Sequence, residues 1–166
     1  ASMRTSEDLQ QITPLLWNEL KVLDVPFFRC GVFILDDKAK KMQAYLTTPD
    51  GKPLGALDLD FDMSDLTRNT VENWRNKEVF NTHWNSDDFI AWTREMMKLR
   101  QIDTPEKYQG AETPPESLYL HFIPFAQGML YVGNIQQLEN DKIDLVKSLA
   151  DAFSFAYARY EDFVIL

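Results

Sequence analysis

Three side chains in this sequence have the soft or basic character that nucleophilic catalysis or metal binding calls for: Cys30, His83 and His121. A cysteine attacks as its thiolate and needs a base within hydrogen-bond reach. His121 is the natural partner to consider for Cys30, but no motif joins them. A zinc site uses ligands paired at C-x-x-C or H-x-x-x-H spacing, and none of the three has such a neighbour. The reading is therefore a small buried filler at Cys30 and a hydrogen-bonded core or pocket-wall imidazole at His121, which sits among Tyr119, Leu120, Phe122 and Ile123. No catalytic residue and no metal ligand is assigned.

Asp58, Asp60 and Asp62 imitate the start of an EF-hand loop, but the position that needs glycine is Met63 and the one that needs a bidentate glutamate is Asn69. Alternation with Leu57, Leu59 and Phe61 makes them the wet face of a strand. Neither G-x-x-x-x-G-K-[ST] nor G-x-G-x-x-G occurs, so no phosphate cradle is expected. The tryptophans offer more. Trp74, Trp84 and Trp92 cluster in the middle of the chain, away from Trp17. Large aromatics commonly just fill a core, yet a ligand pocket is lined by the same groups with a few polar ones. The pocket candidates are Arg29, Cys30, Trp74, Trp84, Trp92 and His121.

These residues need a scaffold, and hydrophobic spacing supplies one. Leu9, Ile12, Leu16, Leu20 and Leu23 recur at helical spacing. Pro14 either kinks that helix or, as preferred here, starts a fresh one behind a Thr13 cap. Phe28–Leu35 is apolar on both alternating faces and reads as a central strand; Met42, Ala44 and Leu46 form a half-buried strand paired to it, and Leu57, Leu59 and Phe61 a third. Ser64 caps a helix carrying Leu66, Val71 and Trp74 inward, Glu78–Trp84 is a short strand, and Ser86 caps the next helix. Gln101–Glu116, polar and with three prolines, reads as a long surface loop able to serve as a lid. Leu118–Phe125 and Met129–Ile135 form a second hairpin, and Val146, Leu149, Ala150, Phe153, Tyr157 and Tyr160 define a closing helix over Glu139–Asp162, about 36 Å long. Hairpins rather than βαβ crossovers imply an antiparallel sheet flanked by helices, an α+β fold.

Composition narrows the function. The chain has 166 residues, one domain's worth, with 17 Lys and Arg against 26 Asp and Glu and a net charge of −9. Such a charge repels nucleic acid and anionic membrane surfaces, and no apolar run approaches a bilayer span. The lone cysteine suits a reducing cytoplasm. Residues 1–6 read as a cloning scar or flexible lead-in.

Certain residues are also familiar as a set: Phe27-Phe28-Arg29-Cys30-Gly31, Thr48-Pro49-Asp50-Gly51, and Pro114-Pro115 followed by His121-Phe122-Ile123-Pro124-Phe125 and Gly128. Together they resemble the GAF-like sensory domains of bacterial multidomain signalling proteins, which sit upstream of histidine kinase, cyclase or transcription-factor outputs. The resemblance implies a single GAF-like domain over residues 7–166, with a GAF/PAS-like antiparallel sheet of about six strands and a long C-terminal helix packed with the N-terminal one. It also implies a homodimer and a regulatory input role, with the output domain outside this fragment. It names no cofactor, because such domains variously bind cyclic nucleotides, tetrapyrroles, haem or small metabolites, or only dimerise. Phe153, Tyr157, Tyr160 and Phe163 are the candidate dimer seam.

Overall fold

The structure, a computed structural model, describes residues 6–102 and 115–165, the side chains of 6–8, 10 and 160–165 excepted. The elements run α1 (Ser6–Val22), β1 (Arg29–Asp36), β2 (Lys41–Thr47), β3 (Pro53–Asp60), α2 (Asp65–Arg75), β4 (Phe80–Asn85), α3 (Ser86–Lys98), β5 (Ser117–Phe125), β6 (Gly128–Asn134) and α4 (Asn140–Ile165). The strands form one antiparallel sheet in the order β3-β2-β1-β6-β5-β4. The fold is α+β, as the hairpin spacing predicts.

Period-two alternation divides the sheet into two buried faces. Cys30, Val32, Tyr45, Ile123, Leu130 and Val132 point to α1 and α4. Phe33, Leu35, Met42, Leu57, Phe122 and Tyr131 point to α2 and α3. α1 rests on β1, β2 and β3 while α4 rests on β5 and β6, so the first and last helices share one face and one apolar cluster. Closing the β5–β6 hairpin beside β1 leaves no room for a side chain at Gly128, where a Cβ would lie 1.8 Å from the Phe33 carbonyl oxygen.

Two local expectations are corrected. α1 runs unbroken through Pro14, so Thr13 starts no new helix. The proline forfeits one backbone hydrogen bond, but Leu9, Leu16 and Leu20 on one stripe are each buried and hold both halves to the sheet. The cap of α3 is Asn85, not Ser86: its side-chain oxygen accepts from the Asp88 N–H while the Asp88 carboxylate accepts from the Asn85 N–H. Most of the loop read as a lid, residues 103–114, lies outside the described residues, as do residues 1–5 of the lead-in.

Candidate functional site

The six pocket candidates do not converge on one place. Arg29 and Cys30 are neighbours in β1, so their side chains leave opposite faces. Arg29 is buried on the α2/α3 side, where its Nε and Nη2 donate to the Thr47 carbonyl at 3.1 and 2.8 Å and its guanidinium lies 6.0 Å from the Phe89 ring centre. It fastens the end of β2 and α3 to the sheet. Cys30 is buried on the α1/α4 side, and burial pushes its thiol up to about 12. His121 shares that face, yet Val132 stands between the two in the β1–β6–β5 register. Two strand spacings put about 9.6 Å between their backbones, beyond the reach that proton transfer requires.

His121 has a specific structural task. Its Nδ1–H donates to the Val132 carbonyl at 2.9 Å and its Nε2 accepts the Leu138 N–H at 3.0 Å. Both contacts suit the neutral ring, and burial lowers its pKa. The imidazole ties the segment leading into α4 to the sheet.

The tryptophans separate too. Trp74, at the end of α2, donates its indole N–H to the Phe125 carbonyl at 3.0 Å. Trp84 lies opposite Leu118, near the other end of β5. The seven steps along the strand from Leu118 to Phe125 span about 23 Å. Trp84 and Trp92, by contrast, come together with ring centres 5.8 Å apart.

Around that pair is an open groove of 390 Å³ between α2, β4 and α3. Phe80, Thr82 and Trp84 alternate along β4 to form its floor; α2 contributes Leu66 and Asn69, and α3 contributes Trp92. Asp65, Asp88 and Glu95 line the same opening. The centre of this sheet face is filled: Phe33, Phe122 and Tyr131 meet in mutual ring contacts, and Met42, Met96 and Met129 are buried in the same cluster.

No protein-family model and no curated protein sequence matches the chain. Solved structures do match. The GAF domain from an Acinetobacter phosphoenolpyruvate-protein phosphotransferase aligns over 98% of this chain and 87% of its own, at TM-score 0.54 and 14% identity. Its fold is GAF-like. A second match, residues 122 to 287 of a methyl-accepting chemotaxis protein, covers 92% of this chain and 89% of that one at TM-score 0.53 and 14% identity.

Among the cavity-forming residues that sequence reasoning missed in this GAF-like fold are Phe80, Asp88 and Glu95. A signal for them exists. Asp88 and Glu95 flank Trp92 at helical spacings of four and three residues, and Phe80 repeats with Trp84 at strand spacing, so an inward Trp84 and Trp92 bring them along. Of the acidic run read as an imitation calcium loop, Asp58 and Asp60 lie on the exposed face of β3 and Asp62 in the turn that follows it. Among the described residues no cluster of metal-ligating side chains occurs, and no helix is long and apolar enough to cross a membrane.

Of the seam candidates, Phe153 and Tyr157 turn into the chain's own core, Phe153 against Phe125 with ring centres 5.1 Å apart. The side chains of Tyr160 and Phe163 lie outside the described residues. The outward aromatic on this part of α4 is Phe155, 69% exposed, with the Arg159 guanidinium 5.6 Å from its ring centre.

Proposed function

We propose that this chain is a regulatory input domain, noncatalytic, which takes a small molecule in the Trp84–Trp92 groove and relays its presence through the terminal helices. The groove carries the reading: on the α2/α3 face of the sheet it brings two tryptophans, Trp84 and Trp92, to the wall of one opening. A path to the helices exists in the pairing, since β4 is hydrogen-bonded to β5 and β5 lies under α4. The GAF-like fold, found in a phosphotransferase domain and in a chemotaxis-protein fragment, supports a place in signalling. Readout through a homodimer would use the C-terminal part of α4, with Phe155, Tyr160 and Phe163 as its seam. The buried lone Cys30 suits a cytoplasmic setting, and a net charge of −9 suits partners other than nucleic acid.

For such a device, a ligand acts only by binding one arrangement of the helices more tightly than another. Native mass spectrometry of the freshly purified chain, compared with the same sample denatured, is the test. The expected result is a bound species of defined mass that is released on denaturation and lost in Trp84→Leu. A bare chain, together with no thermal stabilisation by a library of small metabolites, would overturn the reading. That outcome would favour a ligand-free dimerisation module, which the dense packing elsewhere on the α2/α3 face supports.

A further inference from the structure

The groove differs from the other cavities in its charge. Three further cavities on the surface each contain basic side chains: Lys40, Arg68 and Arg75 in one, Arg75 and Lys77 in the second, Lys38 and Lys41 in the third. Among the described residues the groove at β4 is lined by no lysine or arginine, but by Asp65, Asp88 and Glu95 around an aromatic floor.

The three carboxylates are not equivalent. Asp65 is paired with Arg68 at 2.5 Å and sits in the first turn of α2, where it offsets the helix dipole. Asp88 is half engaged, one oxygen accepting the Asn85 N–H at 3.0 Å. The Glu95 carboxylate makes no hydrogen bond or ion pair among the described residues, and the residue is exposed to solvent. It follows Trp92 by three residues, which places carboxylate and indole on one face of α3.

From this arrangement we infer that the groove binds a small organic cation, an ammonium group on a short apolar body. The inference rests on the input-domain reading and gives it a ligand class. Trp is the side chain whose ring face attracts a cation best, and the groove is lined by the half-buried Trp84 with Phe80 and by Trp92, 8% exposed, which adds apolar contact. Glu95 then supplies the opposite charge at the mouth. A volume of 390 Å³ is within the range of about 300–1,000 Å³ typical of small-molecule sites. An anion would meet three carboxylates and, among the described lining residues, no lysine or arginine; Arg68 beside Asp65 is already paired with it. The net charge of −9 further concentrates cations at the surface.

The test is a titration of the whole ¹⁵N-labelled chain, followed through its tryptophan indole N–H signals. Three probes are compared: choline, its neutral isostere 3,3-dimethylbutan-1-ol, and the anion 3,3-dimethylbutyrate. Choline is expected to move the Trp84 and Trp92 signals saturably. Trp17 and Trp74, which do not line the groove, serve as internal controls. The alcohol should bind about tenfold more weakly, which is the range a desolvated cation–aromatic contact supplies. Glu95→Gln, a surface change compatible with folding, should weaken choline about three- to tenfold and leave the alcohol unaffected.

Equal binding of choline and the alcohol, an unchanged choline affinity in Glu95→Gln, or no choline response at either indole would each overturn the inference. If the alcohol or the anion moves those indoles while choline does not, the ligand groove stands and only its cationic class falls. If no probe moves them and native mass spectrometry shows a bare chain, the input-domain reading falls as well.

Discussion

The two faces of this sheet are both buried but are covered very differently. On one, the terminal helices supply Leu9, Leu16, Leu20, Ile143, Val146, Ala150, Phe153 and Tyr157 to the core. On the other, α2 and α3 supply only Val71, Phe89, Trp92 and Met96, and the strands' own large side chains do the filling. Helices of 17 and 26 residues cover the first face, helices of 11 and 13 the second. Space for a ligand is found where cover is thin, because a short helix with few apolar side chains cannot close the whole surface beneath it. The largest test of this contrast is Leu20→Ala. Leu20 is fully buried under α1, so the truncation should cost about 3 kcal/mol of global stability, as large-to-small core changes do. Leu66→Ala, half-buried beside the groove, should cost about 1 kcal/mol. Chemical denaturation of both variants checks the pair, and equal losses would break the distinction between a structural face and a permissive one.

Much of this contrast can be read from residue spacing, and the exceptions have identifiable causes. Alternation placed the strands because each residue type answers to one face. Leu57 and Leu59 are buried while Asp58 and Asp60 are exposed, as the pattern requires. Helix ends are less legible, since Asn85 and Ser86 are both good caps and only the reciprocal bonds with Asp88 choose between them. The candidate site suffered more. Grouping Arg29 with Cys30 ignored the parity of adjacent strand residues, an error that the sequence could have exposed. Grouping Trp74 with Trp84 could not be corrected that way. Their separation depends on how β4 registers against β5 and where α2 ends over the sheet, both set by long-range pairing. Pro14 is an exception of a third kind: local preference argues against a continuous helix, and tertiary burial of its flanking leucines overrides it.

Thin cover has to be held in place, and Arg29 does part of this. Its guanidinium binds the Thr47 carbonyl and lies over Phe89, so one buried cation joins β1, the end of β2 and α3. Thr47 is tied on its other side, with its hydroxyl bridging the backbone N–H and C=O of Cys30 at 3.3 Å each. Arg29→Met keeps much of the volume but deprives the Thr47 carbonyl of both donors. It should cost about 2 kcal/mol, the range for hydrogen bonds to a charged group. Amide hydrogen exchange sharpens the comparison: protection should fall in α3 first while α4 stays near its original level. A uniform loss across both helices would show that Arg29 serves the sheet as a whole and not its lightly covered face.

The smallest effect expected belongs to the opposite face, where the buried polar group is a titratable base. His121 is neutral in the fold because its Nε2 must accept the Leu138 N–H, and a second ring proton would point donor at donor. Burial lowers its pKa below the ordinary value of 6.5. In the unfolded chain the ring takes up its proton near 6.5, so below that pH the unfolded state binds more protons than the folded one. The stability tied to the neutral ring is therefore complete above about pH 7. It declines as pH falls through 6.5 toward the depressed folded value, by up to about 1.4 kcal/mol per pH unit for this single group. Denaturant midpoints measured at intervals from about pH 8 to pH 5 should show that slope in the parent chain. In His121→Phe the slope should shrink, even though the variant is less stable throughout. His83 provides the control, since it is exposed and touches Ser117 and Tyr119 at the sheet edge. His83→Gln should leave the slope in place, and its removal by that change instead would transfer the acid response from the helix-anchoring face to the edge strand that borders the groove.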